Sequence, residues 1–260
     1  MVDMKRFPFA AVAAAIGACA LPAAASAAEV QIGATSTPLV APTCPTGTSQ
    51  SECEIVLPRI TAIETLRDGV TYPTTVTRPG AIISFEVGVS AISSNAATVK
   101  TDVSNLDSYY GGPPEAQLTV LRPVGARHNF RWQVVGESRV FKLRPFLGDI
   151  VQFPVSSIAV VPGEVVALTI PTWAPVLSID LSSTKFAYRQ SRSVNCLDSS
   201  AESVPVNPLS AVGVTAAFGC SYSGTRVEYT AQEIVTPTGM TASVRRALRR
   251  GPQILRRRTR

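Results

Sequence analysis

Along most of the chain, apolar and polar positions alternate with a period of two. Ile83, Phe85, Val87 and Val89 alternate with Ser84, Glu86, Gly88 and Ser90, which predicts a strand with one face buried. Leu118 and Val120, then Phe130, Trp132 and Val134, and then Phe141 and Leu143 keep the same beat. So do Phe186 and Tyr188 against Lys185, Ala187 and Arg189, and Val227 and Tyr229 against Arg226, Glu228 and Thr230. Ile158–Val161 and Val165–Ile170 read as two buried strands joined by a tight turn at Pro162-Gly163-Glu164. Residues 59–68 are compatible with either element, because Ile60, Ile63 and Leu66 fit a helical turn as well as a strand.

Turn residues punctuate these runs at short intervals: Pro73, Pro79-Gly80, Gly111-Gly112-Pro113-Pro114, Gly148, Pro171 and Pro175. Short strands at that rhythm, with no helix between them, predict an all-β fold, an antiparallel β-sandwich of jelly-roll-like form. The body is expected over residues 54–236, preceded by a Thr/Pro/Ser-rich lead-in over 29–53 and followed by an Arg-rich tail over 237–260.

Residues 1–28 predict an export signal. Lys5 and Arg6 open it, an Ala-rich apolar run follows, and Pro22 breaks that run before small residues that suit cleavage after Ala27 or Ala28. The run is shorter than the ~20 apolar residues a spanning helix needs. Ile16-Gly17-Ala18-Cys19 offers a competing lipoprotein box, with Cys19 as the lipidated residue. The remaining cysteines, Cys44, Cys53, Cys196 and Cys220, are even in number, as expected of disulfides outside the cytoplasm. Three pairings are possible, and sequence proximity favours Cys44–Cys53 and Cys196–Cys220, each worth about 2.5–3.5 kcal/mol.

The net charge of +6 is the sum of unlike parts. Residues 29–244 carry 14 basic and 17 acidic side chains, whereas residues 245–260 carry eight arginines and no acid. The body is therefore mildly acidic, which argues against a nucleic-acid-binding domain. The tail residues Arg245, Arg246, Arg249, Arg250, Arg256, Arg257, Arg258 and Arg260 would bind a polyanion such as an anionic cell-envelope polymer, with strong salt dependence.

Three stretches, Gly80–Val87, Leu118–Pro123 and Phe153–Leu168, together resemble a family of uncharacterised secreted β-sandwich proteins from actinobacteria, over roughly residues 70–235. The resemblance implies the sandwich fold and carries no activity.

Candidate chemistry is sparse. His128 is the lone histidine, in a turn-like Arg127-His128-Asn129, which leaves little room for general acid–base or nucleophilic catalysis. Gly219-Cys220-Ser221-Tyr222-Ser223 fails as a nucleophile elbow at its last position. Ser182-Ser183-Thr184-Lys185 matches Ser-x-x-Lys, but continuing the alternation of 186–189 puts Ser182 and Lys185 on opposite faces of a strand. The acids read as solvated surface charge, which leaves a carboxylate- or metal-dependent hydrolase as the alternative class. Asp102, Asn105 and Asp107, expected in one polar loop, are a calcium candidate. No cofactor is expected. Tyr109, Tyr110 and Trp173 sit beside rigid turn residues, where rings can stack on sugars; Trp173 equally suits a plug at the open end of the sandwich. The expected function is a secreted, non-catalytic module that binds glycan or a cell-surface polymer. An inert sandwich held at anionic surfaces by its tail is a further alternative.

Overall fold

The computed structural model describes residues 28–48, 53–125, 130–194, 196 and 209–236. The stretch 1–27, read as most of an export signal and including Cys19, lies outside the described residues, as do His128 and all eight tail arginines.

Two antiparallel sheets face each other. The smaller has the order β1 (Ala28–Ile32), β15 (Tyr229–Val235), β4 (Gly80–Gly88) and β8 (Ile150–Val160). The larger runs β12 (Thr215–Ala217), β6 (Arg131–Glu137), β5 (Glu115–Pro123), β9 (Val165–Ala174), β2 (Leu57–Arg67), β11 (Ala187–Gln190) and β13 (Ser221–Ser223). Short β3 (Val70–Thr71) adds to β2, and β7 (Phe141–Lys142) adds to β5. A separate two-strand ribbon pairs β10 (Leu177–Ser178) with β14 (Arg226–Val227). The all-β sandwich expected from the alternation is the fold.

The core between the sheets takes alternate residues from each. Ile82, Phe85 and Val87 of β4 and Phe153, Ile158 and Val160 of β8 meet Leu118 and Val120 of β5 and Val166, Leu168 and Ile170 of β9. A second apolar cluster lies on the other face of the larger sheet, where Leu209 packs with Ile63, Leu121, Trp132, Val134, Val165, Ala167, Ala216 and Phe218. Strand β9 is thus apolar on both faces because both are covered, which explains its unbroken run of Val, Ala and Leu. Between the clusters' strands, Thr61, Thr119 and Thr169 form a buried hydroxyl ladder, with 2.7 Å between neighbouring Oγ1 atoms. The amide of Leu209 donates to Thr61 and its carbonyl accepts from Thr169, so the covering segment is tied to the sheet through main-chain atoms.

Several expectations change in detail. Residues 59–68 form strand, not helix, over Leu57–Arg67. In β4 the inward residue is Ile82 rather than Ile83, because a bulge after Ile82 shifts the register against both β8 and β15. The Pro162-Gly163 turn does join β8 to β9, with Gly163 at φ +90°, but the two strands do not pair. The turn instead carries the chain from one sheet to the other. Ser182–Lys185 is a turn rather than strand, closed by the Lys185 amide on the Ser182 carbonyl at 3.0 Å.

The largest departure is a helix. Asp102, Asn105 and Asp107, expected in one polar loop, belong to α1 (Ala96–Tyr110). Asn95 caps it by accepting from the amides of Ala97 and Thr98, and Gly111 ends it in the left-handed region at φ +78°. Only Val103 of the helix is fully buried, so it lacks the apolar stripe that announces most helices.

Candidate functional site

A 15-residue helix sorts its side chains by angle, and this one splits the candidate residues into two sets. Val103, Asp107 and Tyr110 recur at four and three residues, on the face turned to the body. Val103 is buried there. Asp107 accepts from the Trp173 indole Nε1–H at 3.2 Å and pairs with the Arg144 guanidinium. The carbonyl of Tyr110 accepts from Arg59 Nε at 3.3 Å. Arg59 sits at a bulge in β2 with φ +44°, and the bulge brings its cation to the negative end of the helix.

Trp173 belongs to this inner set. It is 0 % exposed, and its Nε1–H also donates to the Gly112 carbonyl at 3.0 Å. A ring so enclosed presents no face to a ligand, which corrects the stacking role expected for Trp173. Its indole fixes the last turn of α1 against β9.

Asp102, Asn105, Leu106 and Tyr109 recur at three, four and seven residues along a second stripe. Asp102, Asn105 and Leu106 line a cleft of about 470 Å³, together with the Cys44–Cys53 disulfide, Ile55, Val56 and Ile92. Tyr109 stands one turn further along the same stripe, 56 % exposed, its ring perpendicular to that of half-buried Tyr110 at 4.9 Å. Ile92 lines the cleft at φ +70°, a conformation that β-branched side chains avoid. Its amide is held by the Ser90 hydroxyl at 3.0 Å. Apolar walls with a few convergent polar groups and one strained residue are the usual makings of a binding site.

The calcium candidate does not converge. Asp102 and Asn105 face the cleft while Asp107 faces Trp173 and Arg144, and among the described residues no group of three His, Cys, Asp or Glu side chains is arranged for a metal. The four cysteines form two disulfides, Cys44–Cys53 and Cys196–Cys220.

The expectation that the acids are solvated surface charge is corrected for the buried Glu164 and Glu233 and, at the centre of a charge cluster, for Glu64 and Glu228. Both are buried with Arg67 and Arg226 where the chain's leading segment crosses the body. Arg67 donates to the carbonyls of Gly33, Val227 and Tyr229, and Arg226 donates to that of Pro38 at 2.9 Å. Glu64 accepts from the Val227 amide and lies 3.4 Å from Arg67; Glu228 accepts from the Ser178 hydroxyl and lies 3.3 Å from Arg226. Asp68 accepts from both the amide and the hydroxyl of Thr37, at 2.7 and 2.6 Å. Arg67, Asp68, Arg226 and Glu228 therefore clamp residues 33–40 as a strap across the body, through main-chain atoms and the Thr37 hydroxyl.

Burial pushes the Glu64 carboxyl up to about 7, against the pull of Arg67 and the Val227 amide. Burial also raises Glu228, opposed by Arg226. At Asp68 burial pushes up too, but hydrogen bonds from Thr35, Thr37 and Ser36 win and hold the carboxyl well below its usual range. None of these groups lines the cleft. The alternation predicts Arg226 and Glu228 facing outward, and the strap that covers them is invisible in a local pattern.

No helix among the described residues is long and apolar enough to cross a membrane. Comparison with protein-family models, with curated proteins and with solved structures finds no match to this chain.

Proposed function

We propose that this chain is an exported, non-catalytic binding module that takes a glycan or other cell-surface polymer along the outer stripe of α1. The observation that carries the reading is the alignment of Asp102, Asn105 and Leu106 in the cleft with exposed Tyr109 beside it. A ring on a capped helix is held at little entropic cost and gives one apolar face to a sugar, while Asp102 and Asn105 supply acceptors and donors for hydroxyls. An open cleft at the surface suits a polymer that continues past the site. The leader-like start and the two disulfides support a location outside the cytoplasm.

The test is retention on insoluble polysaccharides and purified cell walls. The native chain is expected to be depleted from solution by at least one of them. Tyr109→Ala combined with Asn105→Ala should weaken that retention by about tenfold or more, equivalent to roughly 1.4 kcal/mol. Trp173→Phe should retain like the native chain. Retention that ignores Tyr109 and Asn105, or none on any polymer, would refute the reading.

A further inference from the structure

The inner face of the smaller sheet sends Ile32, Phe85, Val87, Tyr229 and Ala231 into the core, so the residues between them point outward. Three of those outward side chains meet in a triangle. Thr230 of β15 lies directly opposite Glu86 of β4, and Gln31 of β1 reaches it from the other side of β15. The Thr230 hydroxyl donates to Glu86 Oε2 at 3.2 Å. Gln31 Nε2 donates to Thr230 Oγ1 at 3.0 Å and to the same Glu86 Oε2 at 3.1 Å. Gln152, opposite Glu86 on β8, is turned to the Ser84 hydroxyl at 2.8 Å instead. Thr230 is buried, whereas Gln31 is exposed.

Each contact has a chemical meaning. A hydroxyl that donates to a carboxylate is a nucleophile with its base already in place. The carboxamide carbon of Gln31, one bond from Nε2, is an acyl centre beside that hydroxyl. One oxygen of Glu86 touches both the proton to be removed and the nitrogen that would leave, at the separations proton transfer requires. Backbone pairing of β1 with β15 and of β15 with β4 aligns all three groups, so no reactant has to be gathered from solution.

From this geometry we infer that Gln31 and Thr230 are the substrates of a self-catalysed ester cross-link between β1 and β15, with Glu86 as its base. Glu86 takes the hydroxyl proton, and Thr230 Oγ1 forms a bond to Gln31 Cδ. The Cδ–Nε2 bond then breaks, Glu86 returns the proton to the departing nitrogen, and ammonia leaves through the exposed side of Gln31. One amide and one alcohol become one ester and one ammonia. Nothing is oxidised or reduced, and no further reactant enters. Escape of ammonia drives the step forward, and burial of Thr230 shields the new bond from water. Strand β1 is an edge strand that pairs only with β15, and the ester fixes it there. The first and last strands of the described residues would then be joined covalently, independently of both disulfides.

The experiment is mass analysis of tryptic peptides from the purified native chain, reduced and alkylated. Gln31 falls in the peptide that ends at Arg59, and Thr230 falls in residues 227–245. The expected result is a linked pair of these peptides, lighter than their sum by one ammonia and separated by hydroxylamine, which cleaves esters. Glu86→Gln should lower the yield of the linked pair at least tenfold, and Thr230→Val should abolish it. The two peptides found only unlinked in the native chain, or Gln31 converted to glutamate in their place, would overturn the inference. So would a linked pair formed at native yield in either variant. The native-chain result decides the matter whether or not the variants fold. The readout is a covalent bond on the sheet rather than polymer retention at α1, so this inference and the binding reading can each fail alone.

Discussion

The carbonyl oxygen of Val40 lies 1.8 Å from the point a Cβ on Gly88 would occupy. The strap therefore crosses β4 at Gly88, where the backbone carries no side chain to meet it. Gly88→Ala should lift the strap and cost about 1–3 kcal/mol, the usual range for an added methyl in a packed site. Denaturant unfolding measures the loss, and limited proteolysis should cut within 33–44 in the variant but not in the native chain.

Trp173 anchors α1 through two acceptors, Asp107 and the Gly112 carbonyl. Trp173→Phe keeps most of the ring and removes the donor, leaving both acceptors without that bond. The expected cost is roughly 1–3 kcal/mol in chemical denaturation, with polymer retention unchanged. Lost retention at full stability would return Trp173 to the binding surface.

Asn95 supplies the N-cap on which the outer stripe depends. Asn95→Ala should cost about 1 kcal/mol and speed amide exchange in the first turn of α1. It should weaken binding less than loss of Tyr109 does.

Stability should fall as pH rises through the Glu64 transition. The folded carboxyl titrates near 7 against an ordinary value of 4.5, so the folded state holds its proton more tightly than the unfolded one. That contribution is fully present below about 4.5 and is lost as pH rises through about 7, an effect of order 3 kcal/mol at most. The charged groups facing Glu64 are Arg67, Arg226 and Glu228, with the Tyr229 phenol beside them, and Asp68 works in the opposite sense at lower pH. Urea unfolding from pH 4.5 to 8 should show the decline in the native chain and a flatter profile in Glu64→Gln.

The fold was legible where one face of a strand meets the core and the other meets water. Phe85, Val87, Leu118, Val120, Tyr188 and Tyr229 all behave as their alternation predicts. It failed where a second layer covers the outer face. Arg226 and Glu228 look solvated in the pattern and are buried by a strap whose bonds run 188 residues back along the chain. The bulge that swaps Ile83 for Ile82 is likewise a pairing event between strands. Helix α1 did leave marks, Asn95 before it and Gly111 after it, but with Val103 as its one buried residue it had no apolar period to find. In the sequence Asp102, Asn105 and Tyr109 stand out for their chemistry alone. Only the helix reveals that they share a stripe and that Asp107 and Trp173 belong elsewhere.

The most direct measurement of the central claim is an amide chemical-shift titration of the isotope-labelled chain with soluble fragments of whichever polymer retains it. Shifts are expected to cluster on residues 102–109, 55–56 and 92, the stripe of α1 and the cleft beneath it. Shifts confined to the outer face of the β1–β15–β4–β8 sheet, or to the Arg-rich tail, would contradict the account.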